Sequence, residues 1–252
     1  MANADRERPD RFGGDLLTME AVELSVVVPV YNEVAILAEL LGRIQSSCAA
    51  SGRTFEVVVV DDASTDGTTE FLRNVHDGVK IRVVSNSTNL GQFRSTQAGL
   101  LASKGRYVIS LDGDLQDPPE LIPKLAASIP DLEDDHDVVF AVKSDHERNE
   151  RWWFLPGKSL FNLAGILLGS SMPKGAGSYV LISRSLASKV GEVSVGNVNL
   201  APILIALGGQ PTTLSYAKQP RYDGESRVGF RRLVVEGLTS LWVLSPWGRR
   251  LL

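Results

Sequence analysis

Cysteine is nearly absent from this chain of 252 residues: Cys48 stands alone, so no disulfide forms within it. A reducing compartment fits that usage. Histidine is scarce too. His76, His136 and His146 lie apart in polar stretches, so neither a zinc site nor a histidine-based triad is expected. No run reaches the roughly 18–20 apolar residues that span a bilayer. Residues 1–20 are polar and carry no apolar signal-peptide core, and they read as a flexible arm over residues 1–21. No Gly-x-Gly-x-x-Gly follows the first apolar run, and no Gly-x-x-x-x-Gly-Lys-Ser/Thr occurs anywhere. Both absences argue against a dinucleotide cofactor and a P-loop ATPase. The net charge of -4 gives no footprint for nucleic acid. No repeat is present, which excludes a solenoid.

What is present is ordinary globular chemistry, 43% hydrophobic and 22% charged, with length enough for a sizeable core. Residues 24–30 form a valine-rich run of strand length, buried on both faces as in a parallel sheet. Asn32 then offers a cap for a helix whose apolar positions Ile36, Leu37, Leu40, Leu41 and Ile44 recur at helical spacing. Strands over 55–60, 80–85 and 106–111 alternate with helices over 69–75 and 92–103. That alternation predicts βαβ units, a mainly parallel α/β sheet and helices on both faces. Further on, 137–142, 179–183 and 213–216 read as strands, and 200–207 as an apolar helix. Residues 148–168 begin basic and aromatic and become a helix after Pro156.

Ligands of such sheets bind at the carboxyl ends of the strands. The acidic residues fall there. Asp112, Asp114 and Asp117 follow the fourth strand, Asp61 and Asp62 the second, and Glu33 the first. Carboxylates at the end of a buried strand are costly unless something positive meets them. Two aspartates one residue apart suit a magnesium or manganese ion, which takes oxygen ligands and shares them with phosphates. Gln116 adds a neutral oxygen. Taken alone, the pair also fits a solvated turn, and Ser64 or Asp66 fits a helix cap. One aspartate of Asp61-Asp62 would serve the base or ribose of a nucleotide, flanked by Tyr31 and Glu33.

Pro29-Val30-Tyr31-Asn32-Glu33, the run Asp61 to Thr68, Asn89-Leu90-Gly91-Gln92 and the run Leu111 to Pro119 together resemble the family 2 glycosyltransferases of GT-A (Rossmann-like) fold. The resemblance covers about residues 22–250 and is strongest to the polyprenyl-phosphate branch, with dolichyl-phosphate mannose synthase and the bacterial undecaprenyl-phosphate sugar transferases. It implies an inverting transfer of a sugar from a UDP- or GDP-sugar to a polyprenyl phosphate, with Mg2+ or Mn2+ as cofactor. Carried over by position, Pro29, Tyr31, Glu33, Asp62 and Asp112 would hold the nucleotide. Asp112, Asp114 and Gln116 would surround the metal. Arg221, Ser226 and Arg227 look like the family's arginine followed by Gly-x-Ser-Lys, with arginine in place of lysine, and would hold the donor diphosphate or acceptor phosphate. Asp112, Asp114, Arg221 and Arg227 are thus the implied catalytic set. Lys143 stands where relatives place an arginine. Leu155 stands where they have an acceptor-phosphate arginine, with Arg151 and Lys158 nearby.

The expected organisation is the arm, a GT-A domain over 22–229, and a C-terminal amphipathic helix over 230–252. That helix is flanked by Arg231, Arg232, Arg249 and Arg250 and carries Trp242 and Trp247. It suits an anionic bilayer surface on the cytoplasmic face, or equally the domain itself or a second subunit of a homo-oligomer. Two other readings stay open: the same donor chemistry on a soluble, glycan or protein acceptor, and nucleotide-sugar binding without turnover.

Overall fold

The computed structural model describes residues 21–75, 80–132, 136–144, 171–196, 198–217 and 230–250. Its first half alternates as expected: β1 (Leu24–Val30), α1 (Val34–Ala50), β2 (Phe55–Asp61), α2 (Thr68–Asn74), β3 (Ile81–Ser85), α3 (Gln92–Ala102) and β4 (Tyr107–Ser110). A 3-10 turn over Pro119–Leu121 runs into α4 (Ile122–Ala127). Then come β5 (Asp137–Lys143), β6 (Val180–Ser183), α5 (Arg184–Glu192), α6 (Leu200–Ala206), β7 (Gln210–Tyr216), α7 (Phe230–Leu244) and α8 (Pro246–Arg249). The sequence reading did not anticipate α5. Its start is fixed by the Ser183 hydroxyl, which accepts from the Leu186 N–H at 3.1 Å.

The seven strands lie in the order β3-β2-β1-β4-β6-β5-β7. β6 runs antiparallel to both β4 and β5, and the other pairings are parallel. The sheet is therefore mixed and mainly parallel. Strand periodicity explains its two cores. On β1 and β2, Val26, Val28, Val57 and Val59 pack with α1 and α4, while Val27, Val58 and Val60 pack on the other face with α3. A run buried on both faces has no polar side to show, which is why it reads as continuous valine. The α3 layer is tight at Gly99, where a Cβ would stand 2.4 Å from Val27 Cγ1.

After β1 the chain winds outward to β2 and β3, then returns to place β4 on the other side of β1. The strand order reverses between β1 and β4. In open α/β sheets that crevice, at the carboxyl ends, is where ligands sit. It separates Tyr31–Glu33 from Asp112–Asp114.

Candidate active site

The loop after β1 and the loop after β2 clasp each other. The Asn32 N–H donates to Ser64 Oγ at 3.0 Å, Glu33 N–H to Thr68 Oγ1 at 3.1 Å, and Val34 N–H to Asp66 Oδ2 at 3.0 Å. In return the Asn32 side-chain oxygen accepts from the Thr65 N–H at 2.7 Å. The backbone donors that lead into α1, Asn32 to Val34, are thus satisfied from another loop. The expectation that Asn32 caps α1 is corrected: Glu33 occupies the cap position, with no cap from its own side chain, and Asn32 turns left-handed at φ 55. Much of the polar run 61–68 therefore builds the loop.

Asp61 and Asp62 divide their work. Asp61 is buried and accepts from the Ser64 N–H at 3.0 Å and the Thr69 hydroxyl. Asp62 lines the cleft and grips the next loop, accepting from Asn86 Nδ2, Leu90 N–H and Gly91 N–H, each at 2.8 Å. Burial pushes its proton affinity up, but hydrogen bonds from Leu90, Asn86, Gly91 and Ser95 outweigh that and hold the carboxyl below its ordinary range. Asp62 thereby fixes Asn89, Gly91 and Gln92, which line the same cleft.

That cleft holds about 460 Å³ at the reversal point. Its walls include Pro29, Tyr31, Glu33, Asp62, Asp112, Gly113 and Asp114. All five residues read from sequence as nucleotide-holding are brought together there, with both aspartates of the metal pair. Gly113 is required by space: a Cβ would stand 2.8 Å from the Pro29 carbonyl oxygen.

Asp112 is held from two sides. Its Oδ1 accepts from Gln92 Nε2 and from Ser178 Oγ, each at 2.6 Å. Burial pushes its pKa from 3.8 to about 7, Asp117 and Asp114 add to the rise, and Ser178 and Lys143 oppose it. Asp114 Oδ1 accepts from the Gln116 N–H at 3.1 Å, and Gln116 is itself buried. No group of three or more histidine, cysteine or acidic side chains suited to a metal occurs among the described residues. The donor set nevertheless fits a hard divalent cation that draws its other oxygens from a substrate diphosphate. Three carboxylates gather here, and their charge is met among the described side chains by Lys143, 3.6 Å from Asp117.

A raised carboxylate pKa has a definite sign in stability. The folded state binds the Asp112 proton more tightly than the unfolded chain does, so this contribution is full below pH 4 and is lost as pH rises toward 7. The melting temperature of metal-free protein should therefore carry a downward slope between pH 4 and 7 that Asp112→Asn removes. An identical slope in the variant would show that other groups cause it.

Each of the three strand-end loops contains one non-glycine residue in the left-handed region: Asn32 at φ 55, Ala63 at φ 60 and Leu115 at φ 59. Such backbone costs roughly 1–3 kcal/mol per residue and gathers at functional sites. No sequence signal marked Ala63 or Leu115. Nor did the sequence give roles to Gln92, Asp117 or Tyr216, though Gln92 and Asp117 fall within runs that carry the family resemblance. Lys143 closes β5 and is not among the residues that line the cleft. Arg151, Lys158, Arg221, Ser226 and Arg227 lie outside the described residues, as do the arm and the helix expected after Pro156.

Residues 25–191 match the family model described as Glycosyl transferase family 2. The chain belongs to that family. It is 43% identical over 143 residues to an undecaprenyl-phosphate 4-deoxy-4-formamido-L-arabinose transferase of Pseudomonas paraeruginosa, covering 56% of this chain and 41% of the relative. It is 32% identical over 226 residues to the protein of the same name from Edwardsiella ictaluri, covering 87% of this chain and 66% of the relative. Thus the chain spans less than two thirds of either relative's own length. Among solved structures, a mannosyl-3-phosphoglycerate synthase from Rubrobacter xylanophilus superposes with a TM-score of 0.59 at 17% identity, covering 91% of this chain and 74% of that one. A Pyrobaculum calidifontis mannosyltransferase in complex with GDP-Man and Mn2+ gives 0.53 at 20%, covering 92% and 73%. At such identities the likeness speaks for the GT-A fold alone.

Proposed function

We propose that this protein is a metal-dependent inverting glycosyltransferase that moves a sugar from a UDP- or GDP-sugar to a polyprenyl phosphate. The observation that carries the reading is the Asp112–Asp114 pair on the wall of a cleft shared with Pro29, Tyr31, Glu33 and Asp62. The names of the two relatives support the acceptor class. In the reaction, an oxygen of the acceptor phosphate attacks the anomeric carbon. The bond from that carbon to the diphosphate oxygen breaks, and its electron pair leaves with the diphosphate. The acceptor is already anionic, so no strong general base is needed. That distinguishes the site from glycoside hydrolysis, which uses a protonated carboxyl group. A bound Mg2+ or Mn2+ would offset the charge growing on the leaving diphosphate. Asp112 and Asp114, with Gln116, would hold that ion. Gln92 and Ser178 orient Asp112, and Asp62 shapes the loop beside the nucleotide. Lys143 would serve a substrate phosphate, together with Arg151, Lys158, Arg221, Ser226 and Arg227.

A lipid acceptor needs the protein at the headgroup level, and α7 with α8 offers a surface for it. Val235, Leu238 and Trp242 are exposed at helical spacing, and Trp247 on α8 is 74% exposed beside Arg250. The opposite side of α7 buries Val243 and Leu244 in the core. No helix among the described residues is long and apolar enough to cross a membrane. An apolar, tryptophan-bearing face with arginines nearby suits the plane of an anionic bilayer on the cytoplasmic side.

Two measurements test the reading. A thermal-shift panel of UDP, GDP and their sugars, with and without Mn2+, should show a nucleotide that stabilises only with the cation; a ligand at 100 times its Kd gives about 2.7 kcal/mol. Transfer from that donor to undecaprenyl phosphate should follow. Binding without transfer to any acceptor would replace the enzyme by a nucleotide-sugar-binding protein, and transfer only to soluble acceptors would replace the lipid. Second, Leu238→Glu, Trp242→Glu and Trp247→Glu together should abolish co-sedimentation with phosphatidylglycerol vesicles. Unchanged sedimentation would overturn the membrane surface, and a dimer-to-monomer change would assign the face to a second subunit.

A further inference from the structure

Asp117 is the third carboxylate of the acidic run, and it is only 4% exposed. Its Oδ1 accepts the hydrogen of the Tyr216 hydroxyl, at the end of β7, and faces the Lys143 ammonium, at the end of β5, across 3.6 Å. Tyr216 is itself fixed. Its ring meets Tyr179 edge-on, with centroids 5.9 Å apart and planes at 71°. The Tyr179 hydroxyl donates to the Pro118 carbonyl at 3.0 Å, and the Ser144 N–H donates to the Tyr216 carbonyl at 2.9 Å. The loop after β4 is thus bolted to the ends of β5 and β7. A carboxylate buried to this degree is costly without partners, and its partners among the described residues are one hydroxyl and one ammonium.

Lys143 also lies within electrostatic reach of Asp112, whose proton affinity it lowers. Among the described residues, two anions therefore compete for one cation, and the ion pair that forms is with Asp117. Lysine carries its charge on a flexible four-carbon stem. Without Asp117, the anion that its charge still acts on is Asp112. An ammonium seated there would neutralise a carboxylate that a divalent cation needs.

We propose that Asp117, held by Tyr216, is a positioning residue that detains the Lys143 ammonium on the β5–β7 side of the site, leaving Asp112 open to the cation and Lys143 available to a substrate phosphate. This rests on the functional reading above for the cation and the phosphate. The local geometry stands by itself.

The test measures Mn2+ binding calorimetrically in the full chain, in the presence of UDP or GDP, and needs no turnover. Asp117→Asn should weaken Mn2+ by about tenfold. Adding Lys143→Gln to Asp117→Asn should recover most of that loss, a gain in Mn2+ affinity that Lys143→Gln alone does not produce. That difference between backgrounds is the signature of a detained lysine, because a purely structural loss would not be repaired by removing Lys143. Tyr216→Phe keeps the ring and removes the hydrogen bond, so it should show the same pattern more weakly. It carries the test should Asp117→Asn fail to fold. A loss that persists in the double variant, or an equal effect of Lys143→Gln in both backgrounds, overturns the proposal. So does a wild-type protein that binds no Mn2+. If Mn2+ binds with the expected coupling but no sugar moves to undecaprenyl phosphate, the functional reading falls and the positioning role stands.

Discussion

Asp114→Asn is expected to lower sugar transfer on the order of 10²–10³-fold at saturating Mn2+, the scale seen when one preorganised electrostatic contact to a developing charge is removed. The substitution is nearly isosteric. The asparagine oxygen can still accept from the Gln116 N–H, which in the present structure meets Asp114 Oδ1 at 3.1 Å, so the loop keeps its shape. What changes is charge. Asp114 raises the proton affinity of Asp112 by repulsion, and removing it relieves that repulsion in the metal-free protein. The variant should therefore melt at or above the wild-type temperature without cation and lose the stabilisation that cation and nucleotide provide. Loss of activity with gain of stability is the mark of a residue kept for function. Wild-type turnover would remove Asp114 from the metal site.

Gly113→Ala should do comparable damage by a different route. The added Cβ would stand 2.8 Å from the Pro29 carbonyl oxygen and 3.0 Å from Val30 Cγ1. Neither neighbour can give way easily, because β1 is buried along its whole length and is paired with β2 at Pro29 and Val30. Overpacking of this kind costs about 1–3 kcal/mol. The strain therefore falls on the loop after β4 at Asp112 and Asp114, ahead of its anchorage at Asp117 and Pro118. A displacement near 1 Å can cost about 10²-fold in rate. Chemical denaturation should report the first loss and transfer kinetics the second. A variant with wild-type stability and turnover would show that the loop does not lie against β1 as described.

The acidic residues show where sequence reading succeeds and where it stops. Strand-length apolar runs ending in carboxylates were enough to put Glu33, Asp62, Asp112 and Asp114 on one edge of a mainly parallel sheet. Burial on both faces demands a continuous apolar run, and a run of that length carries a recognisable period. The same reasoning could not tell Asp61 from Asp62. One is buried against Ser64 and Thr69, while its neighbour turns to the cleft and the Leu90–Gly91 backbone. The cap of α1 escapes sequence reading because the donors that lead into it, Asn32 to Val34, are met by Ser64, Thr68 and Asp66, roughly thirty residues away, and local pattern contains nothing of that distance.

By itself, the sequence determined the alternation of strands and helices from β1 to β4, the two-sided core, and the line of carboxylates at the strand ends, since each follows from short-range periodicity and from the cost of burying charge. Only the tertiary structure decided how those carboxylates are shared out. Ser178 and Gln92 converge on one oxygen of Asp112, and Tyr216 and Lys143 on one oxygen of Asp117. These partners stand 20 to 99 residues from the groups they hold. Hydrogen bonds and ion pairs act over a few ångströms. Which residues come that close is fixed by the return of the chain to β4 and by the antiparallel insertion of β6, which no local stretch encodes.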